Sequence, residues 1–134
     1  MEHRQINENY RKIAEELIEK EPELAYIKNS QVKIIYLESD NSKKSDKDKL
    51  VLGECEKIAA KNKWAISADF TITLYVNNIL GLTPEQIKIV LFHELLHIRI
   101  EPAQDGGEAY SIAKHDLEDF KIIIDRFGTD WSKK

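Results

Sequence analysis

The chain has 134 residues and a net charge of −4, because Asp and Glu outnumber Lys and Arg. This length suits one domain with one hydrophobic core. The acidic balance argues against a surface that attracts nucleic acid or anionic lipid. Cys55 is the single cysteine, which excludes an internal disulfide and a cysteine-based zinc ribbon. Its predicted role is that of a small, partly buried apolar residue.

No targeting or membrane signal is recognised in the sequence. The first ten residues, MEHRQINENY, contain no apolar segment of the kind found in signal peptides. A run of about 18 apolar residues, which a membrane-spanning helix needs, does not occur either. We therefore expect a cytoplasmic protein without a membrane partner.

The first third of the chain predicts one helix and one strand. Apolar residues between 6 and 20 follow the spacing of one helical stripe, and Pro22 ends the helix. Residues 31–37, QVKIIYL, are β-branched and aromatic, which is typical of a strand. Residues 38–49 contain no apolar side chain, so we expect a long, mobile hairpin tip.

Two further strands are predicted next. Residues 50–60, LVLGECEKIAA, alternate imperfectly around Gly53, which indicates a strand with a bulge or bend. A helix over residues 54–63 is the alternative. Residues 70–76, FTITLYV, give the clearest strand in the chain. Because the links between the strands are short to medium, we predict an antiparallel meander of about three strands.

Two helices are predicted in the last part of the chain. Thr83 is a suitable N-cap and Pro84 suits the first helical position, so a helix begins there and runs to the break at Glu101 and Pro102. Residues 103–108, AQDGGE, form a loop that can rim a cleft. A second apolar stripe, begun by Asp116 and stopped by Gly128, predicts a C-terminal helix.

The first of these helices contains the sequence HELLH. His93 and His97 are spaced i and i+4, so they lie on one helical face, where both rings can reach a single metal ion. Glu94 lies beside that line and can accept a proton from a metal-bound water. The surrounding residues are apolar, and buried polar side chains without partners would cost several kcal/mol. The pattern therefore predicts the HExxH zinc site of a hydrolase.

A catalytic zinc ion needs three protein ligands, so the motif requires one more. Seventeen residues separate His97 from His115, which precedes the C-terminal helix. A chain reversal through the glycine-containing loop can return it to the ion, and neutral imidazole suits zinc. His3 is treated as incidental. Carboxylates form the alternative third ligands: Glu118, Asp119, Asp116 and Glu108.

Other hydrolytic chemistries lack support in the sequence. A metzincin would continue as HExxHxxGxxH, but Ile100 and Ala103 occupy the glycine and third histidine positions. No nucleophile elbow is present for a serine mechanism. Tyr110 and Arg99 are candidates for stabilising an oxyanion, although packing and surface roles are the more ordinary ones for these residue types.

Several segments together resemble a known family. HELLHI is followed by KHDLEDF and RFGTDW and preceded by ADFTI and LTPEQ, and this combination resembles the putative phage metallopeptidase domain family. It is more distantly similar to SprT-like zinc metallopeptidases. The resemblance covers residues 50–131 and implies a zincin-like fold with zinc held by His93, His97 and His115 and Glu94 as the base. Asp116 replaces the SprT-type glycine, and no zinc ribbon or basic tail follows, so a role in DNA–protein crosslink repair is not transferred.

The sequence thus predicts a small single-domain α+β zincin. It comprises an N-terminal helix, an antiparallel sheet of about three strands, the HELLH helix and a C-terminal helix. The predicted function is zinc-dependent hydrolysis of a protein or peptide, whose extended chain adds to the edge of the strand at residues 70–76. The alternative is a zincin scaffold with structural zinc that serves a mobile element as a regulatory or anti-host binding protein. A fourth protein ligand, such as Asp116 or Glu108, would favour that alternative.

Overall fold

The computed structural model describes residues 3–45 and 48–113, and the predicted α+β class is confirmed. The described elements are β1 (Arg4–Ile6), α1 (Glu8–Lys20), α2 (Ala25–Lys28), β2 (Ile34–Ser39), β3 (Gly53–Lys57), β4 (Phe70–Tyr75), α3 (Pro84–Leu95), β5 (Ile98–Pro102) and β6 (Glu108–Ile112). The predicted C-terminal helix lies outside the described residues.

The main sheet has the strand order β1-β2-β4-β3. The predicted antiparallel meander is wrong, because β2 pairs with β4 in parallel and β3 lies on the far side of β4. Both edges of β4 are therefore occupied, and it cannot offer the substrate-binding edge predicted for residues 70–76. Among the described strands of this sheet, β3 is the edge strand next to β4.

The N-terminal helix is confirmed, although it begins slightly later than predicted. Ile6 belongs to β1, which pairs antiparallel with β2. The side chain of Asn7 then caps α1 by accepting a hydrogen bond from the backbone N–H of Tyr10 at 2.9 Å. Ala14 and Leu17 on the apolar stripe are buried in the core. The stripe is therefore a core-forming face, as its spacing predicts.

Residues 40–52 connect β2 to β3 and contain most of the polar segment predicted as a hairpin tip. The predicted hairpin is wrong, because β2 and β3 are not adjacent in the sheet. The segment folds back on itself through the bridge between Lys44 and Leu50. The side-chain amide of Asn78, just after β4, donates to the carbonyl oxygens of Lys43 and Val51 at 2.9 and 2.8 Å. These bonds attach both arms of the segment to the end of the central strand.

The HELLH helix begins as predicted and ends earlier. Thr83 and Gln86 form a reciprocal capping box at its start. The helix ends at Leu95, and the residues predicted to continue it form β5, which makes an antiparallel hairpin with β6. Ile98 and Ile100 alternate with Arg99 and Glu101, and this pattern suits a strand once β6 is present as a partner.

The core lies between the sheet and helices α1 and α3. α3 is buried over most of its circumference, as its apolar sequence predicts. It packs on the face of β4 that presents Phe70, Ile72 and Leu74, all of which are fully buried. None of the helices within residues 3–45 and 48–113 combines the length and apolar character needed to cross a bilayer.

We expect Asn78→Ala to lower the free energy of unfolding by about 1–2 kcal/mol, because it leaves two partly buried carbonyl groups without their donor. Asn77→Ala is the matched control, since the Asn77 amide makes its hydrogen bonds at an exposed position. It should cost less than about 0.5 kcal/mol. Urea unfolding measures both values, and equal losses would contradict the anchoring role of Asn78.

Candidate metal centre

The last turn of α3 brings the candidate residues together. His93 and Glu94 lie in that turn, whereas His97 lies two residues beyond the end of the helix. The backbone N–H of His97 donates to the Glu94 carbonyl at 3.1 Å, so the chain tightens after Leu95 without unwinding. The near-helical path keeps the two histidine rings on one side.

A pair of hydrogen bonds fixes His97 against the end of β6. The Ala113 N–H donates to the His97 carbonyl at 2.6 Å, and the ring Nδ1 of His97 lies 2.9 Å from the Ala113 carbonyl oxygen. Since a carbonyl oxygen only accepts, Nδ1 must carry the proton. In the neutral ring, the lone pair is then on Nε2. This is the arrangement typical of a metal-binding histidine whose other nitrogen is held by the protein.

The two ring Nε2 atoms of His93 and His97 face each other at 3.3 Å. Zinc–nitrogen bonds of about 2.0–2.1 Å at a tetrahedral angle would place two ligand nitrogens about 3.3–3.4 Å apart. The rings are nearly perpendicular, with an interplanar angle of 86°. The observed separation therefore fits two imidazole ligands of one tetrahedral metal ion.

Glu94 is buried beside the two rings, with 6% of its surface exposed. Its carboxylate and the histidine nitrogens all lie within 4.8 Å of one another. Burial raises the pKa of Glu94 to about 8, and the negative charge of Glu54 adds to this effect. A buried carboxylate next to two nitrogen ligands is an environment in which a cation would favour the charged form.

A cavity of about 350 Å³ opens onto these residues. Glu94 and His97 line it together with residues of β3 and the end of β6: Gly53, Glu54, Cys55, Ile112 and Ala113. The Glu54 side chain accepts hydrogen bonds from Lys43 and, at 2.6 Å, from the Tyr75 hydroxyl. Partial burial raises the pKa of Glu54, but the two hydrogen bonds and the positive charges of Lys43 and Arg4 together outweigh burial and lower it. Cys55 is partly buried, as predicted, and burial raises the pKa of its thiol, with smaller contributions from Glu94 and Glu56.

Gly53 allows β3 to pass close to Glu94. A Cβ atom at this position would lie 2.7 Å from Leu74 Cδ2, 3.1 Å from the Thr73 carbonyl oxygen and 3.4 Å from Glu94 Cγ. Sequence reasoning interpreted this glycine as a bend in a strand. The structure shows that a side chain at this position would collide with Leu74 and the backbone of β4, while Glu94 Cγ lies at ordinary contact distance. The sequence carries no local signal for these contacts.

The other candidate residues differ in where they lie. The ligand-type side chains gathered into one group in the described part of the chain are those of His93, Glu94 and His97. Glu108 is not in this group, and its carboxylate accepts instead from Tyr110 and from the Gln31 N–H. The Tyr110 ring packs edge-on against Phe70, which is the packing role considered above.

The remaining predicted residues are Arg99, which is exposed on β5, His3, which is exposed before β1, and four residues outside the described part: His115, Asp116, Glu118 and Asp119. Ala113 was missed by sequence reasoning, because an alanine whose backbone carries the function has no side-chain signal.

The comparison with protein families agrees with the motif. The family model described as putative phage metallopeptidase matches residues 2–134. The chain belongs to this family. No significant match to the chain is found among curated proteins or among solved structures. The family description thus names a metallopeptidase, and the described residues of this member include a possible metal-binding group at His93, Glu94 and His97.

We expect Gly53→Ala to destabilise the protein by about 1–3 kcal/mol, because the added methyl group must displace Leu74 or move β3 away from Glu94. Gly107→Ala is the control, since a Cβ atom there meets only the Asp105 side chain. It should change the free energy of unfolding by less than about 0.5 kcal/mol. Urea unfolding of both variants measures the difference, and a neutral Gly53→Ala would show that Leu74 and the backbone of β4 accommodate a side chain at this position.

Proposed function

We propose that this protein is a zinc-dependent metallopeptidase whose metal is held by His93, His97 and His115 and whose base is Glu94. The observation that carries the proposal is the 3.3 Å separation of two Nε2 atoms beside a buried carboxylate. A hydrogen bond between the rings would also account for the distance. That hydrogen bond would not compensate the cost of burying the Glu94 carboxylate beside the rings, whereas a shared cation stabilises all three groups.

The third ligand is proposed from the reach of the chain. Ala113 is bonded to His97 through both its N–H and its carbonyl oxygen. His115 follows two residues later, so its Cα lies within about 7 Å of the Ala113 Cα. An imidazole side chain that starts within this distance of Ala113 can reach a metal ion bound by the neighbouring His97. Glu108, the described carboxylate alternative, has its side chain bonded elsewhere.

The chemistry follows from this donor set. Zinc, when bound, lowers the pKa of a water molecule and polarises a carbonyl group. Glu94 lies at the cavity wall, where its carboxylate can accept a proton from that water and later pass it to the leaving amine. The Ala113 carbonyl holds the His97 ring in the required tautomer throughout.

The substrate is proposed to bind as an extended peptide along β3. This strand lines the cavity together with Glu94 and His97, and among the described strands it is paired on one side only, with β4. A peptide that adds to its edge obtains backbone hydrogen bonds for any sequence. The close passage of Gly53 by Glu94 would place the scissile bond near this end of β3.

Metal content tests the ligand assignment. The protein expressed in zinc-replete medium should contain about one zinc ion per chain, because a single clustered donor set is proposed. After dialysis against a weak chelator, the variants His93→Ala, His97→Ala and His115→Ala should lose zinc. His3→Ala is the control and should keep it. Absence of zinc with no uptake on titration would refute the metal site, and retention by His115→Ala would transfer the third ligand to a carboxylate.

Glu94→Gln tests the catalytic role separately from the metal site. The amide has the same shape and carries no charge, so the buried position should accept it without loss of melting temperature or zinc. Hydrolysis of an unstructured protein substrate should fall by about 10² to 10⁴, the usual contribution of a positioned base. His97→Ala should instead lose zinc, stability and activity together.

Two outcomes would contradict this assignment. Loss of zinc from Glu94→Gln to the same degree as from His97→Ala would make Glu94 a ligand or a structural group. Full zinc occupancy with no cleavage of any protein by the parent chain would favour the non-catalytic scaffold.

A further inference from the structure

The segment that connects β3 to β4 carries an exposed basic and aromatic surface. We define the Trp64 surface as Lys57, Lys61, Lys63, Trp64 and Ile66. The Trp64 side chain is 88% exposed and Ile66 is 38% exposed. Single exposed apolar residues are common on proteins, but tryptophan is buried on average. An exposed tryptophan among lysines is typical of a surface that binds a partner.

The Trp64 surface is positive although the whole chain carries a charge of −4. Three lysines and one carboxylate, Asp69, lie between residues 57 and 69. Asp69 accepts an ion pair from Lys63 at 2.8 Å, and the neighbouring Glu56 is paired with Arg4 at 3.2 Å. The nearest carboxylates in sequence are therefore compensated, and the charges of Lys57 and Lys61 face solvent.

This surface continues into the proposed substrate cleft. Lys57 is the last residue of β3, four residues from Gly53, and a strand covers that interval in about 14 Å. Lys63 lies over the ring of Tyr110, at 5.7 Å from the ring centre, so it joins the segment to β6. Beside it, Lys33, Lys63 and Ile66 line a hollow of about 250 Å³, which has room for a side chain.

We propose that the Trp64 surface binds an acidic segment of the peptide substrate, about four residues from the scissile bond. The proposal rests on the proposed peptidase function and adds a substrate class to it. Charge complementarity selects carboxylates, and the exposed indole and Ile66 provide apolar contact for the intervening side chains. A peptide that extends along β3 from Glu94 arrives at this surface without changing direction. Ionic strength should weaken the binding, because the lysines are exposed.

The test measures binding in the Glu94→Gln protein, so that no cleavage is required. A fluorescently labelled twelve-residue peptide with four consecutive glutamates is titrated, and its anisotropy gives the Kd. Lys57→Ser with Lys61→Ser should raise the Kd at least tenfold, and Trp64→Ala should raise it severalfold. Lys63 is left intact because it pairs with Asp69 and Tyr110. Lys12→Ser with Lys20→Ser makes the same change of charge on α1 and should alter the Kd less than twofold.

Several results would overturn the proposal. If both pairs of lysine substitutions weakened peptide binding equally, the effect would reflect the net charge of the protein and not the Trp64 surface. Tighter binding of a twelve-nucleotide single strand, or of phosphatidylserine vesicles, than of the acidic peptide would assign the surface to another partner. Trp64 should also be accessible to acrylamide quenching in a Trp131→Phe background, and protection from acrylamide would mean that the chain itself covers the indole.

The peptidase proposal is judged by separate measurements. Acidic-peptide binding that depends on Lys57 and Lys61, without hydrolysis by the zinc-loaded parent, would retain the surface and reject the catalytic function. Hydrolysis that shows no preference for acidic residues four positions from the cleaved bond would retain the peptidase and reject the surface.

Discussion

The two hydrogen bonds between His97 and Ala113 determine the form of the candidate site. One joins backbone to backbone at 2.6 Å, and the other joins the Nδ1 of the ring to the Ala113 carbonyl at 2.9 Å. Together they fix the position of His97 just beyond its helix, select the protonated nitrogen and direct the other nitrogen towards His93. The same bonds fix Ala113, at the end of β6, beside His97, and the proposed third ligand His115 follows two residues later in the sequence.

The burial of Glu94 has a free-energy cost, because a charged carboxylate is unfavourable in a low-dielectric site. A rise of its pKa to about 8 expresses that cost in the absence of a cation. Gly53 on β3 lies beside this side chain, and a Cβ atom at Gly53 would be 3.4 Å from Glu94 Cγ. The neighbouring Glu54 carboxylate, which lines the same cavity, is held by hydrogen bonds from Tyr75 and Lys43. The fold thus gathers polar side chains around the candidate metal site.

Local sequence signals predicted the start of α3 and the strand at residues 70–76. The features that were not predicted depend on contacts between residues far apart in the sequence. Thr83 and Gln86 lie three residues apart, so the capping box can be recognised in the sequence. The end of α3 depends on β6, which begins 13 residues later and pairs with β5. Ile98 and Ile100 fit both a helix and a strand until that partner is known. For the same reason, the spacing of His93 and His97 was predictable, whereas the contacts of Ala113 and Gly53 were not.

The order of the strands explains why the cleft lies where it does. Adjacent strands in sequence usually pair, but β2 here pairs with β4 in parallel and leaves β3 on the outside. A parallel pair needs a connection that crosses from one strand to the other, and residues 40–69 provide it, with β3 included. This arrangement buries the more apolar strand, β4, on both faces, and it places the more polar β3 at the border. An outer strand with a glycine beside Glu94 leaves room for a further chain, so the departure from the meander makes the proposed substrate cleft possible.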